Sequence, residues 1–125
     1  MDKVYLGVVK QPAKKIKVLC VSPENIESER WHMIIETLEI RLYAPWVHSL
    51  KEKRMIVRSL TAKIRNRFNV SVAETADQDL HQSIVLGIAC VAGNTGQADS
   101  IMDHIETFIE SNTEAEVTGS YREIY

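Results

Sequence analysis

The sequence is poor in the residues that mark disulfide-rich, fibrous or disordered proteins. Its 125 residues include two cysteines, three prolines and five glycines. Cys20 and Cys90 lie far apart, and neither belongs to a C-x-x-C or Cys/His pattern, which excludes a disulfide framework and a typical zinc site. With 45% hydrophobic and 26% charged residues, the composition is that of a folded protein. We expect Cys90, inside the run SIVLGIACVAG, to pack in the core.

Membrane and export signals are missing as well. No unbroken apolar run is long enough to cross a bilayer, and the N-terminus has no apolar segment followed by a small-residue cleavage site. We therefore expect a cytoplasmic protein with no membrane partner. The sequence also contains no motif that predicts a cofactor.

The chain length fits one domain with a single core, which we place at residues 33–125. Residues 1–32 differ in character, with a Lys-rich patch, one short β-like run and a polar stretch before Met33. Three interpretations remain open: an added strand, a loose arm, or a mis-assigned start. The third rests on Glu29-Arg30-Trp31, which purine-rich codons resembling a ribosome-binding site could encode just before Met33.

From Met33 onward the hydrophobic pattern predicts strand, helix, strand, strand, helix, strand. IIETLEIRLY alternates as a half-buried strand does, and Ile56, Val57, Leu60 and Ile64 recur at helical spacing. Ser49 and Glu52 form a capping box at the start of the first helix. The second helix is expected to direct inward the residues Ala98, Ile101, Ile105 and Phe108.

This order predicts an α+β fold, a ferredoxin-like βαββαβ sandwich with two helices on one face of a four-stranded antiparallel sheet. The run SIVLGIACV is apolar on both faces, so it belongs in the middle of the sheet. It would also leave an apolar patch on the face away from the helices, formed by Val85, Gly87, Ala89 and Val91 or by the alternate set. Such a patch predicts a partner, and we expect a homodimer through this open sheet face.

Positive charge is concentrated in the first helix of a chain whose formal net charge is -2. Residues 48–67 hold seven Lys or Arg against one acid, whereas residues 93–125 hold seven acids against Arg122. On a helical wheel, four basic residues fall within about one sixth of the circumference, and they are Lys51, Arg54, Arg58 and Arg65. These four residues, called the basic stripe below, are the candidate nucleic-acid-binding residues. The alternative is a solvated helix face, but few acids interleave with these bases.

Other polar residues give weaker signals. The helix N-terminus, close to Lys51 and Arg54, favours an anion such as phosphate. Tyr43 and Trp46 could stack on unpaired bases, although a lid over the core is the preferred role for Trp46. Lys53 is expected along the edge of the core. No ligand spacing supports a metal in the turn ETADQDLH, His48 has no visible catalytic partner, and the acidic face of the second helix reads as ordinary surface.

The string HSLKEKRMIVRSLTAKIRNRFNVSVAETADQDLHQSIVLGIACV resembles the YlxP-like family, small bacterial proteins grouped as a domain of unknown function. The resemblance covers residues 33–125, and its specific parts are S-L-K-E-K-R, R-x-R-F-N-V-S-V-A-E and the turn that ends in Q-D-L. His81 departs from the family, which more often has tryptophan there, so a stacking role for this position loses support. Residues 1–32 lie outside the resemblance.

The resemblance implies a ferredoxin-like fold and, from the translation genes that accompany the family, a role near the small ribosomal subunit. The first expectation is therefore a non-enzymatic RNA-binding or ribosome-associated protein. The second is a homodimeric regulatory or interaction module without a nucleic-acid role. An acylphosphatase-like hydrolase is the third, but the loop APWVHS lacks the glycines that would cradle a phosphate.

Overall fold

The computed structural model describes residues 33–125, and the interpretations of residues 1–32 and of Cys20 lie outside that range. Three strands and a helix come first: β1 (Ile34–Tyr43), α1 (Leu50–Arg67), β2 (Ser71–Ala76) and β3 (Ser83–Ala92). They are followed by α2 (Thr95–Asn112) and β4 (Glu116–Ile124). The four strands form an antiparallel sheet in the order β2-β3-β1-β4 with the helices on one face. The predicted βαββαβ fold is confirmed.

Strand β1 has the predicted alternation. Its inner face buries Leu38, Ile40 and Leu42, which contact the core beneath the helices, and it also buries Glu36. Its outer residues, from Ile35 to Tyr43, lie on the open face. Since β1 pairs with β3 on one side and β4 on the other, it is a central strand, as is β3.

Both helices begin at capping residues. The Ser49 hydroxyl accepts a hydrogen bond from the Glu52 backbone N–H at 3.1 Å, and the Glu52 carboxylate accepts one from the His48 N–H at 2.9 Å. The predicted capping box is thus confirmed, with its return bond one residue earlier than usual. Helix α2 has an equivalent arrangement that the sequence analysis missed: Asn94 caps Gln97, and Gln97 reaches back to the Gly93 N–H.

The core lies between the helices and the inner face of the sheet. Helix α2 buries Ala98, Met102, Ile105 and Ile109, while Ile101 and Phe108 are only half-buried. Two of the four predicted inward positions are therefore at the margin of the core. Cys90 is buried, as expected. Under the β1–α1 loop the buried side chain is Val47 and not Trp46, which is 41% exposed, so the lid assigned to Trp46 was wrong.

The open face of the sheet differs from the predicted contiguous apolar patch. Val85 is fully buried, opposite Arg41 and a bulged part of β2, whereas Val91 is 65% exposed. Gly87 lies under Thr75, because a Cβ added at Gly87 would lie 2.6 Å from the Thr75 Cγ2. The patch is therefore a groove of about 360 Å³ with small residues at its floor and polar residues around it. Within residues 33–125, no helix is long and apolar enough to span a membrane.

Candidate nucleic-acid interface

Helix α1 carries the basic stripe on its solvent side. Lys51, Arg54, Arg58 and Arg65 are all exposed, as the helical wheel predicted. From Lys51 to Arg65 the stripe extends about 20 Å along the helix at 1.5 Å per residue. It can therefore follow several consecutive phosphates of a nucleic-acid strand.

The members of the stripe differ in their contacts. Arg65 donates a hydrogen bond from Nη2 to the Val72 carbonyl oxygen at 2.9 Å, which fixes its guanidinium against edge strand β2. Among residues 33–125, Lys51, Arg54 and Arg58 take part in no ion pair. Within that range, three cations thus lie on the surface without an ion-pair partner, and a fourth is anchored beside them.

The N-terminus of α1 is already occupied by its own cap. Glu52 places its carboxylate at the backbone N–H of His48, where the positive end of the helix dipole would otherwise attract an anion. A phosphate at that end would meet this negative charge. Any anion contact on α1 therefore rests on the side chains of the stripe rather than on the helix terminus.

The two aromatic residues ahead of the stripe lie in different places. Tyr43 is on the outer side of β1, on the sheet face away from the helices, so the structure does not bring it to the stripe. Trp46 borders a groove of about 370 Å³ between α1 and the end of α2. This groove is called the Trp46 groove below. Its lining also includes Met55, Ser59, Asn112, Thr113 and Glu114.

Lys53 is buried instead of lying at the edge of the core. Its Nζ is 2.6 Å from the Glu74 Oε2 and also donates to the Asp77 carbonyl oxygen. The signal was present in the sequence, since Lys53 falls on the same side of the helical wheel as Leu60 and Ile64. The Glu74 carboxylate therefore forms an ion pair with a lysine of α1 and does not act as a metal ligand.

The turn after β2 shows the same structural use of acids. Asp77 accepts a hydrogen bond from the Ser83 hydroxyl at 2.7 Å, and its backbone has a positive φ of 58°. Across residues 33–125 no group of His, Cys, Asp and Glu side chains is arranged to hold a metal ion.

A second polar cluster, which sequence reasoning took for ordinary surface, joins α2 to β4. Arg122 contacts Asp103 at 2.7 Å and Glu106 at 2.9 Å, and its Nη1 is 3.9 Å from both Asp99 and the buried Glu36. Burial tends to lower the pKa of Arg122, but the hydrogen bonds with Asp103 and Glu106 outweigh it and raise that pKa. This guanidinium therefore stays charged and holds the strand to the helix.

Glu36 is the unusual member of this cluster. Neither carboxylate oxygen has a hydrogen-bond partner among the described residues, and the side chain is fully buried. Burial, followed by the nearby Asp99, raises the pKa of the Glu36 carboxyl. Burial also raises the pKa of the Cys90 thiol, and the Glu36 carboxylate adds to that rise, so Cys90 is a packed, unreactive thiol.

Two comparisons with known proteins apply to this region. The family model described as "Protein of unknown function (DUF503)" matches residues 35–122. The chain is also similar to "Uncharacterized protein YlxP" of Bacillus subtilis (strain 168), with 37% identity over 70 residues. That match covers 56% of this chain and 76% of the Bacillus protein. Neither description gives a function.

Proposed function

We propose that this chain, which belongs to the DUF503 family of proteins of unknown function, is a non-enzymatic RNA-binding protein. In this proposal α1 contacts RNA phosphates through the basic stripe. The observation that supports it is the exposure of Lys51, Arg54 and Arg58 on one side of α1 without acidic partners among residues 33–125. A solvated helix face would normally interleave acids at i,i+4 spacing.

The composition of the stripe suits a nucleic-acid backbone. Arginine can bind phosphate oxygens through two parallel hydrogen bonds, and lysine adds a compact charge. Contacts of this kind give affinity that depends on salt and carries no sequence information. The proposed target is RNA of the small ribosomal subunit or its precursors, in translation or subunit maturation, which the family resemblance implies. The proposal places the protein in the cytoplasm.

A non-enzymatic role is supported by the β1–α1 loop. An acylphosphatase-like hydrolase would hold phosphate on backbone amides in this loop, but the segment from Ala44 to Ser49 contains Pro45 and no glycine. Proline removes one backbone N–H from the segment. We therefore expect no hydrolysis of acyl phosphates above the uncatalysed rate.

The test compares two double variants that remove the same charge. Arg54→Gln/Arg58→Gln alters the stripe, whereas Arg41→Gln/Lys63→Gln alters two exposed cations outside the stripe, one on the open sheet face and one on another side of α1. Affinity for single-stranded RNA is measured across a salt series by fluorescence anisotropy. The stripe variant should bind about tenfold more weakly, and its slope of log K against log salt should fall by about 1.4, which is 0.7 for each lost contact.

The control variant decides whether position matters. It should keep a slope close to that of the wild type, while circular dichroism shows both variants folded. Equal losses in the two variants would mean that net charge alone governs binding, and unchanged binding in the stripe variant would rule out the proposed interface. Sedimentation with purified ribosomal subunits then tests the proposed target.

A second candidate function, a homodimeric interaction module, is favoured by a different observation. The open sheet face exposes Val91 and Tyr121 to 65% and 61%, with Ile35 beside Val91 on the neighbouring strand. A second copy of the chain could cover this face while α1 stays free on the other side. The two candidates are therefore compatible.

A further inference from the structure

The Trp46 groove combines apolar and polar walls. One wall is formed by the Trp46 ring and the Met55 side chain, which are 41% and 60% exposed. The polar wall comprises Asn112, Thr113 and Glu114 from the end of α2, and Ser59 of α1 also lines the groove. A ligand for this groove needs flat apolar faces together with a polar edge.

The groove adjoins the basic stripe through consecutive residues of α1. Met55 follows Arg54 and Ser59 follows Arg58, and each such step turns by about 100° around the helix. A strand whose phosphates contact Arg54 and Arg58 therefore runs along one border of the groove. Its bases are then next to the groove.

The polar wall selects for hydrogen-bond donors. It contains the C-terminus of α2, where the negative end of the helix dipole and the last carbonyl groups lie, and the last turn of α2 has no basic residue. The Glu114 carboxylate adds a further negative charge. This wall repels phosphate and favours N–H groups, so the anionic backbone belongs on the stripe and a base edge belongs in the groove.

We propose that the Trp46 groove binds one unpaired RNA base and prefers a base with an exocyclic amino group. The base stacks on Trp46 against Met55, and its amino group donates to Glu114 or to the carbonyls at the end of α2. Cytosine offers such an amino group where uracil has a carbonyl oxygen. This inference rests on the proposed RNA-binding function and adds a base-specific contact to it.

The experiment compares oligocytidine with oligouridine of equal length, because both have the same backbone charge. The wild type should bind oligocytidine about fivefold more tightly. Trp46→Ala should weaken binding about tenfold, and Trp46→Leu, which keeps apolar bulk without a flat ring, should be similarly weak. Glu114→Ala, which removes the side-chain acceptor, should reduce the preference for cytidine, whereas Glu110→Ala, with the same charge change four residues earlier, should keep it.

A matched aromatic control distinguishes base stacking in the Trp46 groove from nonspecific binding of RNA by exposed aromatic rings. Tyr121→Ala removes an aromatic ring that is 61% exposed on the open sheet face, and it should leave both affinities unchanged. The salt slope of the Trp46 variants should equal that of the wild type, because stacking involves no counterion release. A slope that falls instead would contradict a base-stacking role.

Tryptophan fluorescence supplies an independent signal. Trp31 and Trp46 are the two tryptophans of the chain, so Trp31→Phe leaves Trp46 as the only tryptophan, whose emission can be excited selectively over that of the tyrosines. Oligocytidine should quench this emission more than oligouridine does at equal saturation. No quenching by either, together with unchanged binding by both Trp46 variants, would overturn the inference while a weakened stripe variant still supports RNA binding.

Two further results would overturn the inference in distinguishable ways. Trp46 variants that keep oligonucleotide affinity but lose association with ribosomal subunits would show that the groove binds a protein. A wild-type chain that binds no RNA at any salt concentration would overturn the proposed function as well, because the stripe would then have no ligand.

Discussion

Two charged side chains are buried beneath the helices, and they differ in how their charge is satisfied. The ammonium of Lys53 has the Glu74 carboxylate at 2.6 Å and a backbone carbonyl as partners. The carboxylate of Glu36 has only the Arg122 guanidinium, at 3.9 Å, and no hydrogen bond among the described residues. Glu36 is therefore the costlier of the two to keep ionised, and it is the residue whose charge state should govern stability.

Replacement of Glu36 by glutamine should stabilise the protein at pH 8 and have no effect near pH 4. Burial and Asp99 raise the pKa of Glu36, so the folded protein holds this proton more tightly than the unfolded chain does. This tighter proton binding stabilises the folded protein fully below about pH 4.3, the pKa of a glutamate in the unfolded chain. The stabilisation is lost as the pH rises through the pKa that Glu36 has in the folded protein. At pH 8, Glu36→Gln should raise the free energy of unfolding by about 1 kcal/mol, because the neutral amide avoids the cost of a buried carboxylate without a hydrogen bond from residues 33–125.

Urea unfolding at both pH values measures this difference, with Glu39→Gln on the opposite face of β1 as the control. Arg122 keeps Asp103 and Glu106 in the variant, so its own charge is not left unpaired. A variant that loses stability at pH 8 would show that Arg122 needs the Glu36 carboxylate, and the sign of the prediction would be wrong.

The sequence pattern predicted which side of its element each of Glu36 and Lys53 occupies, but it did not predict the ion-pair partners of these two residues. Alternation put Glu36 on the inner side of β1, and the helical wheel put Lys53 among Leu60 and Ile64. Periodicity reports which face a residue occupies, whereas Arg122 and Glu74 reach these residues through the sheet order and register, which are not local properties of the chain. The residues of the basic stripe, in contrast, were predictable from the sequence, because exposure on a helix follows from local spacing alone.

Helix starts are the elements that local chemistry specifies best in this fold. Ser49 with Glu52 predicted the start of α1, and Asn94 with Gln97 has the same spacing and function at α2. The second motif was missed because the segment GNTG was interpreted only as a break between elements. The strands are less local, and β3 depends on a contact with the bulge of β2 that no periodicity reveals.

Gly87 in β3 is the position where this contact can be tested. A Cβ there would lie 2.6 Å from the Thr75 Cγ2, so Gly87→Ala forces the bulge of β2 or the Thr75 side chain to move. Overpacking of this kind should lower the free energy of unfolding by about 1 to 3 kcal/mol. Thermal and urea unfolding of the purified variant measure the loss.

A second substitution shows whether the clash is the cause. Thr75→Ser removes the Cγ2 methyl, so the double variant Gly87→Ala/Thr75→Ser should recover most of the stability lost in Gly87→Ala. Gly119→Ala on β4 is the control, because a Cβ added there would lie 4.0 Å from the Arg41 Cδ, an ordinary van der Waals distance. If the double variant is no more stable than Gly87→Ala, the loss comes from the backbone and not from Thr75.

At the scale of the whole molecule, charge and shape divide the two faces of the sandwich. The helix face carries the stripe on α1, and most of the acids of α2 converge there on Arg122. The open sheet face combines exposed apolar residues with Glu39, Arg41 and Glu123. The proposed RNA binding on one face and the proposed self-association on the other therefore involve separate residues, and we expect each to be removable without the other.

The open face limits how strong a dimer can be. Four strands about 4.8 Å apart and up to about 30 Å long present roughly 600 Å², and the polar residues reduce the apolar part further. A stable dimer buries about 800 Å² on each partner. We therefore expect a weak dimer whose mass by light scattering rises from that of one chain toward two across the micromolar range.

Val91→Glu should abolish this concentration dependence, because it places a charge at one of the most exposed apolar positions of the face. Leu80→Glu, in the turn before β3, introduces the same charge at a residue that is 56% exposed, and it should leave the dimer intact. The Val91 variant should still bind RNA as the wild type does, since the stripe lies on the opposite side of the sheet. A wild-type mass that stays at that of one chain at every concentration would contradict the dimer. A Val91→Glu variant that loses RNA affinity would show that the two faces act together.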